Sequence, residues 1–160
     1  MWEDPFVVSN MKMAIAFFGS LFVLASLFGA AEAERFVKKL KLPSGQTAVI
    51  AEGEFEPRST GSYSVRLYAD AGGAFPADHF LGGLVHERDG CVEKVVLEDV
   101  DGDGRAEIVV LVRCAGTGSY LSAQAYAVHK KELTLQAVVA GLPPAADAVS
   151  ALRKAEGQRP

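Results

Sequence analysis

From residue 35 onward, apolar side chains recur at every second position, and clusters of Gly, Pro, Asp or Ser interrupt them about every ten residues. A two-residue period sends alternate side chains to opposite faces of a pleated strand, so helices could not bury these positions together. The pattern predicts strands over 35–42, 46–54, 62–70, 79–86, 91–99, 105–114, 119–129 and 132–140. Eight such strands imply an all-β fold: an eight-stranded antiparallel β-sandwich or flattened barrel. Val65, Leu67 and Ala69 share one face of the third strand, leaving Ser64, Arg66 and Tyr68 on a wetter one. The unbroken runs Val95–Leu97 and Ile108–Val112 instead predict strands covered on both faces. After Pro143 and Pro144, the Ala- and Leu-rich segment 145–155 predicts a short C-terminal helix, with Asp147 early and Arg153 and Lys154 late, as the helix dipole favours.

The chain begins differently. Lys12 precedes the apolar stretch Met13–Phe28, and Gly29, Ala30, Ala31 and Ala33 follow it. This is the layout of a secretory signal, with a small-x-small cleavage site at Ala31-Glu32-Ala33. Glu3 and Asp4 do not suit an export signal, which places the expected start at Met11 or Met13. Residues 1–33 are thus expected to be an N-terminal extension and signal peptide, and 34–160 a single β domain. That mature part carries 15 basic and 17 acidic residues, a net charge of −2, which argues against nucleic acid or an anionic membrane as a partner.

The tetrapeptide Thr-Gly-Ser-Tyr occurs twice, at Thr60, Gly61, Ser62, Tyr63 and at Thr117, Gly118, Ser119, Tyr120, each time just ahead of an expected strand. Gly admits unusual backbone angles, Thr and Ser offer short hydroxyls, and Tyr adds a broad ring with a polar tip. In a meander the two loops emerge at the same end, giving one recognition surface on a rigid scaffold. The alternative is that each Tyr anchors a strand by burying its ring.

Between the repeats lies a hairpin whose numbering tests itself. With Gly102 and Asp103 at the tip, Cys91 faces Cys114, and a disulfide closing that loop would add about 3 kcal/mol of stability. Two independent free thiols are the alternative. The tip itself, Asp99-Val-Asp101-Gly-Asp103-Gly104-Arg-Ala-Glu107, spaces carboxylates as calcium ligands are spaced. It lacks the flanking helices and twelfth-position Glu of an EF-hand, and is similar to the Asp-x-Asp-Gly-Asp-Gly loops of FG-GAP-type repeats. The same residues also favour a metal-free turn, so both readings stand.

Little else suggests chemistry. His79, His86 and His129 fall on separate strands or strand edges, without metal-ligand spacing. Glu52, Glu54 and Glu56 alternate as on a solvated strand edge, which discourages aggregation. Nucleophile elbow, phosphate loop, zinc motif and dinucleotide fingerprint are all missing, so catalysis is not expected.

From Arg35 to about Gly157 the chain resembles the periplasmic inhibitors of invertebrate-type (I-type) lysozyme, the PliI family. The markers are the signal segment, the eight-strand pattern, the Cys91–Cys114 hairpin with Asp101-Gly-Asp103-Gly104, and Cys114-Ala-Gly-Thr-Gly-Ser-Tyr120. The resemblance implies a periplasmic, non-enzymatic inhibitor whose partner is the I-type lysozyme of an invertebrate host. It implies that Thr117, Gly118, Ser119 and Tyr120 enter the enzyme's cleft; the internal repeat extends that role to Thr60, Gly61, Ser62 and Tyr63. No cofactor is required, a structural calcium at Asp99, Asp101, Asp103 and Glu107 remains open, and a homodimer is implied. The competing function is an exported, calcium-dependent module that binds carbohydrate or a cell surface through the acidic loop.

Overall fold

The computed structural model describes residues 34–70, 72 and 75–158, and the expected export segment lies outside them. Eight strands follow in order: β1 (Val37–Lys41), β2 (Thr47–Glu52), β3 (Thr60–Tyr68), β4 (Phe80–Asp89), β5 (Cys91–Glu98), β6 (Glu107–Arg113), β7 (Leu121–His129) and β8 (Glu132–Leu142). One helix, α1 (Ala148–Glu156), follows them among the described residues. Each strand pairs antiparallel with its sequence neighbour, β1 through β4 forming one sheet and β5 through β8 a second. The fold is the all-β sandwich; the flattened barrel is set aside because the two sheets do not close on each other.

The core lies between the sheets. Ile50, Val65 and Leu67 from one sheet meet Val95, Ile108, Val110 and Val112 from the other, all nearly or completely buried. Each such side chain contributes about 1.5–3 kcal/mol through the water it sheds. Ser64, Arg66 and Tyr68 take the half-exposed outer face of β3, as alternation requires.

β6 is indeed covered on both sides, whereas β5 is covered less completely than expected, with Lys94 exposed and Val96 half-buried. One face of β6 points into the sandwich, while Val109 on the other joins Ala123, Ala125 and Ala137 beneath Ala148 and Leu152 of α1. The row of alanines leaves room for a helix to lie close. Asp147 caps that helix, its carboxylate accepting from the amides of Val149 and Ser150, both at 3.1 Å. Such a cap stabilises a helix by about 1 kcal/mol. At the other end Arg153 donates to the Asp99 carbonyl at 3.0 Å, tying α1 to the base of the acidic loop.

The hairpin of β5 and β6 departs from its expected register. From Lys94↔Leu111 to Glu98↔Glu107 the pairing is the expected one, but a bulge between Val92 and Lys94 makes Cys91 face Arg113 instead of Cys114. The expected disulfide is absent: both cysteines are free thiols. Glu93 is the extra residue of the bulge. Its carboxylate receives the Arg113 guanidinium through two nitrogens.

Candidate functional site

Three connections gather at one end of the sandwich: β2 to β3, β4 to β5, and β6 to β7. Thr60 pairs with Asp89, the Gly90 amide donates to the Ser59 carbonyl at 2.8 Å, and the Cys91 thiol donates to the Arg58 carbonyl at 3.2 Å. The Cys114 thiol lies 3.6 Å from an Asp89 carboxylate oxygen, and the Cys114 amide bonds the Tyr120 carbonyl at 2.9 Å. The two Thr-Gly-Ser-Tyr segments therefore reach the same end, and the acidic loop joins β5 to β6 at the other. Gly90 makes the junction possible. Its φ is 117°, and a Cβ there would lie 1.8 Å from the Arg113 carbonyl oxygen.

The second tetrapeptide is displayed outward. Thr117 and Tyr120 are exposed, and Gly118 and Ser119 are half-buried. The loop is braced from below, with the Ser119 amide donating to the Gly116 carbonyl at 3.0 Å and Arg113 donating to the Ser119 carbonyl at 2.9 Å. Arg113 is itself fixed by Glu93, whose carboxyl is held below its ordinary value chiefly by that hydrogen bond. Tyr120 folds its ring back over Gly118, where a Cβ would come within 2.3 Å of a ring carbon. Ser119 adopts φ +45°, a left-handed conformation that turns the chain tightly into β7. A slim backbone, two hydroxyls and a 53 % exposed aromatic ring thus stand together on a fixed support.

The first tetrapeptide does a different job, which corrects its reading as a second contact loop. Thr60–Tyr63 forms the start of β3, paired with both β2 and β4, and the Tyr63 ring is completely buried. Its hydroxyl lies 2.5 Å from that of Tyr126 and also bonds Gln124. Burial raises the pKa of both phenols, that of Tyr126 to about 12. Thr60 is exposed, but Gly61 and Ser62 are half-buried and Ser62 serves the turn beside it. The two tyrosines do not form a pair of fingers.

Beneath the β2–β3 turn sits a buried ionic group that alternation did not reveal. Glu52 and Arg88 are almost inaccessible, so the reading of Glu52 as part of a solvated edge is corrected, while Glu56 is half-exposed and Glu54 exposed. Glu52 accepts from the Val92 amide of the opposite sheet at 2.7 Å and from the Phe36 amide at 3.3 Å, with Arg88 at 3.9 Å and Arg58 at 3.7 Å. Arg88 donates to four carbonyls, those of Ser62, Arg58, Pro57 and Gly90. Glu56 accepts from the Ser62 amide and hydroxyl, which hold its carboxyl below the ordinary value, with Arg88 and Arg35 assisting. On top of this group Phe55 stands 94 % exposed at φ +62°. Sequence alternation gave no sign of it.

At the far end, Asp99, Asp101 and Glu107 bring carboxylate oxygens within 4.8 Å of one another. Asp103 does not join them; it accepts from the amide and guanidinium of Arg105. Asp99 accepts from the amides of Gly102 and Gly104, and Glu107 from that of Val100. Burial and the neighbouring aspartates raise the Glu107 carboxyl above its ordinary value, although the Val100 amide opposes them. Three convergent oxygens fit a hard divalent ion.

Comparison with known proteins gives this geometry its context. The family model "Periplasmic lysozyme inhibitor of I-type lysozyme" matches residues 34–156. The chain is similar to the crystal structure of PliI from Aeromonas hydrophila, at 47% identity and TM-score 0.70 over 73% of this chain and 98% of that one. It is equally similar, at 47% identity and TM-score 0.69 over 74% and 95% of the two chains, to the same inhibitor in complex with Meretrix lusoria lysozyme. A search of curated proteins returns no match. With nearly the whole β domain matched, the chain belongs to the PliI family of periplasmic inhibitors of I-type lysozyme.

Proposed function

We propose that this inhibitor, a protein without enzymatic activity of its own, blocks I-type lysozyme by seating the Thr117–Tyr120 loop in the enzyme's active-site cleft. A glycosidase cleft is a groove shaped for a sugar chain, with carboxyl groups at its centre. The loop fits such a groove: Gly118 keeps the backbone narrow, the hydroxyls of Thr117 and Ser119 can bond carboxyl groups, and the Tyr120 ring can fill a sugar subsite. Holding no glycosidic bond, it occupies the site without being consumed. The observation that carries this reading is the exposure of Tyr120 on a loop already braced by Arg113 and Glu93, so little ordering remains to be done on binding.

The solved complex of a relative with Meretrix lusoria lysozyme supports an invertebrate enzyme as partner. Residues 13–28 would direct export to the periplasm, where this enzyme meets the cell wall. Asp99, Asp101 and Glu107 would hold a structural calcium ion remote from the contact surface. A homodimer belongs to the same reading, and equilibrium sedimentation at twice the monomer mass is its check.

The test is inhibition of wall lysis by the purified mature protein against I-type, chicken-type and goose-type lysozymes in parallel. Inhibition of the I-type enzyme is expected, and Tyr120→Ala should raise its Ki roughly thirtyfold, as loss of a central aromatic anchor does. Its Tm should stay that of the parent. Equal inhibition by the variant would remove the ring from the mechanism.

A further inference from the structure

Phe55 is the most exposed large apolar side chain of the described residues, and its backbone is left-handed at φ +62°. Either property alone is unfavourable. Water gains nothing from a bare phenyl ring, and a turn position with positive φ is better filled by Gly or Asn. Both occur here in a turn that is otherwise tightly determined. The Gly53 amide bonds the Ser62 carbonyl at 3.0 Å, Glu56 receives the Ser62 amide at 2.5 Å, and Arg88 grips the Pro57 and Arg58 carbonyls, each at 3.0 Å. Arg35 bonds the Glu56 carbonyl from the other side. The ring is presented by a firm support at the same end of the sandwich as Tyr120. Ser59 and Arg58, on the same connection, touch Gly90 and Cys91, and Asp89 touches Cys114 at the root of the Thr117–Tyr120 loop.

We propose that Phe55 is a second contact residue for I-type lysozyme, packing on the apolar rim of the cleft that the Thr117–Tyr120 loop enters. The inference rests on the inhibitor reading above and extends its surface across the β2–β3 turn. A phenyl ring has no hydrogen-bonding group, so its complement is a flat apolar wall, of the kind that packs against the faces of sugar rings. Phe55 stands on the turn that immediately precedes the Thr60–Tyr63 segment, whose Tyr63 ring is buried.

The experiment compares the parent with Phe55→Asn and Phe55→Tyr. Asn accepts positive φ readily, so Phe55→Asn should keep or raise Tm while Ki against the I-type enzyme rises roughly tenfold. Phe55→Tyr keeps the ring and should stay within about twofold of the parent, the range of a conservative change at a contact. If Phe55→Asn inhibits as well as the parent while Tyr120→Ala is weakened, the Phe55 contact is overturned and the loop reading survives. If Phe55→Asn keeps full inhibition but sediments as a lighter species, the ring covers a second copy of the chain and the proposal is equally overturned. A parent protein that fails to inhibit the I-type enzyme would overturn both.

Discussion

Gly118 decides where the Tyr120 ring rests, since a methyl group there would come 2.3 Å from a ring carbon. Gly118→Ala should push the ring off its seat and weaken inhibition roughly tenfold, with a Tm close to that of the parent because the loop is exposed. Titration of wall lysis alongside a thermal melt checks both. Tyr63→Phe should do the reverse. It removes a buried hydroxyl that bonds Tyr126 and Gln124, which costs about 1–3 kcal/mol and leaves Ki unchanged. Urea unfolding and the same inhibition assay separate the two tyrosines. Identical tetrapeptides thus meet opposite fates, and the reason is pairing: Tyr63 lies within a strand flanked on both sides, whereas Tyr120 lies just ahead of one.

At the scale of elements, the acidic connection between β5 and β6 makes stability depend on pH. The Glu107 carboxyl sits above its ordinary 4.5, so the folded state holds that proton more tightly than the unfolded chain does. The contribution is fully present below 4.5 and is lost as pH rises through the higher folded value. Glu107→Gln keeps an acceptor for the Val100 amide without the charge, and should raise Tm at neutral pH by roughly 2–4 °C. Calcium should raise the Tm of the parent and leave that of Glu107→Gln unmoved; equal response of both would exclude Glu107 as a ligand. The strands themselves were legible because alternation reports burial directly, and the apolar run Ile108–Val112 announced a strand covered twice. The bulge at Glu93 was not legible, since one added residue hardly alters the composition of a strand yet moves Cys91 opposite Arg113. Glu52 misled for a related reason: its charge reads as exposed until Arg88, on another strand, is brought beneath the same turn. Within the proposed site, the loop at Thr117–Tyr120 drew attention as Gly and hydroxyl chemistry, but Phe55 was hidden because exposure and positive φ leave no mark on a single apolar letter.

Across the whole β domain, most of the perturbed carboxyls of the described residues respond to acid in the same sense. Glu56, Asp70, Glu93, Asp103 and Asp147 are held below their ordinary values, each chiefly by a hydrogen bond that favours the charged form. Their contribution is present above the ordinary 3.8 to 4.5 and is lost as pH falls through the lowered values. Because these groups face solvent, each contribution is small and acid unfolding should be gradual. Urea midpoints measured in steps from neutral pH downward should fall below about pH 4, and a midpoint that climbs there instead would show that Glu107 outweighs the rest. The distance between the ends also settles how such a protein can be fixed to a sensor surface. Both native thiols lie at the end of the sandwich that carries the Thr117–Tyr120 loop, so sulfhydryl coupling would press Tyr120 against the support, whereas a tether grafted at the Asp103 turn would leave the proposed contact loop free.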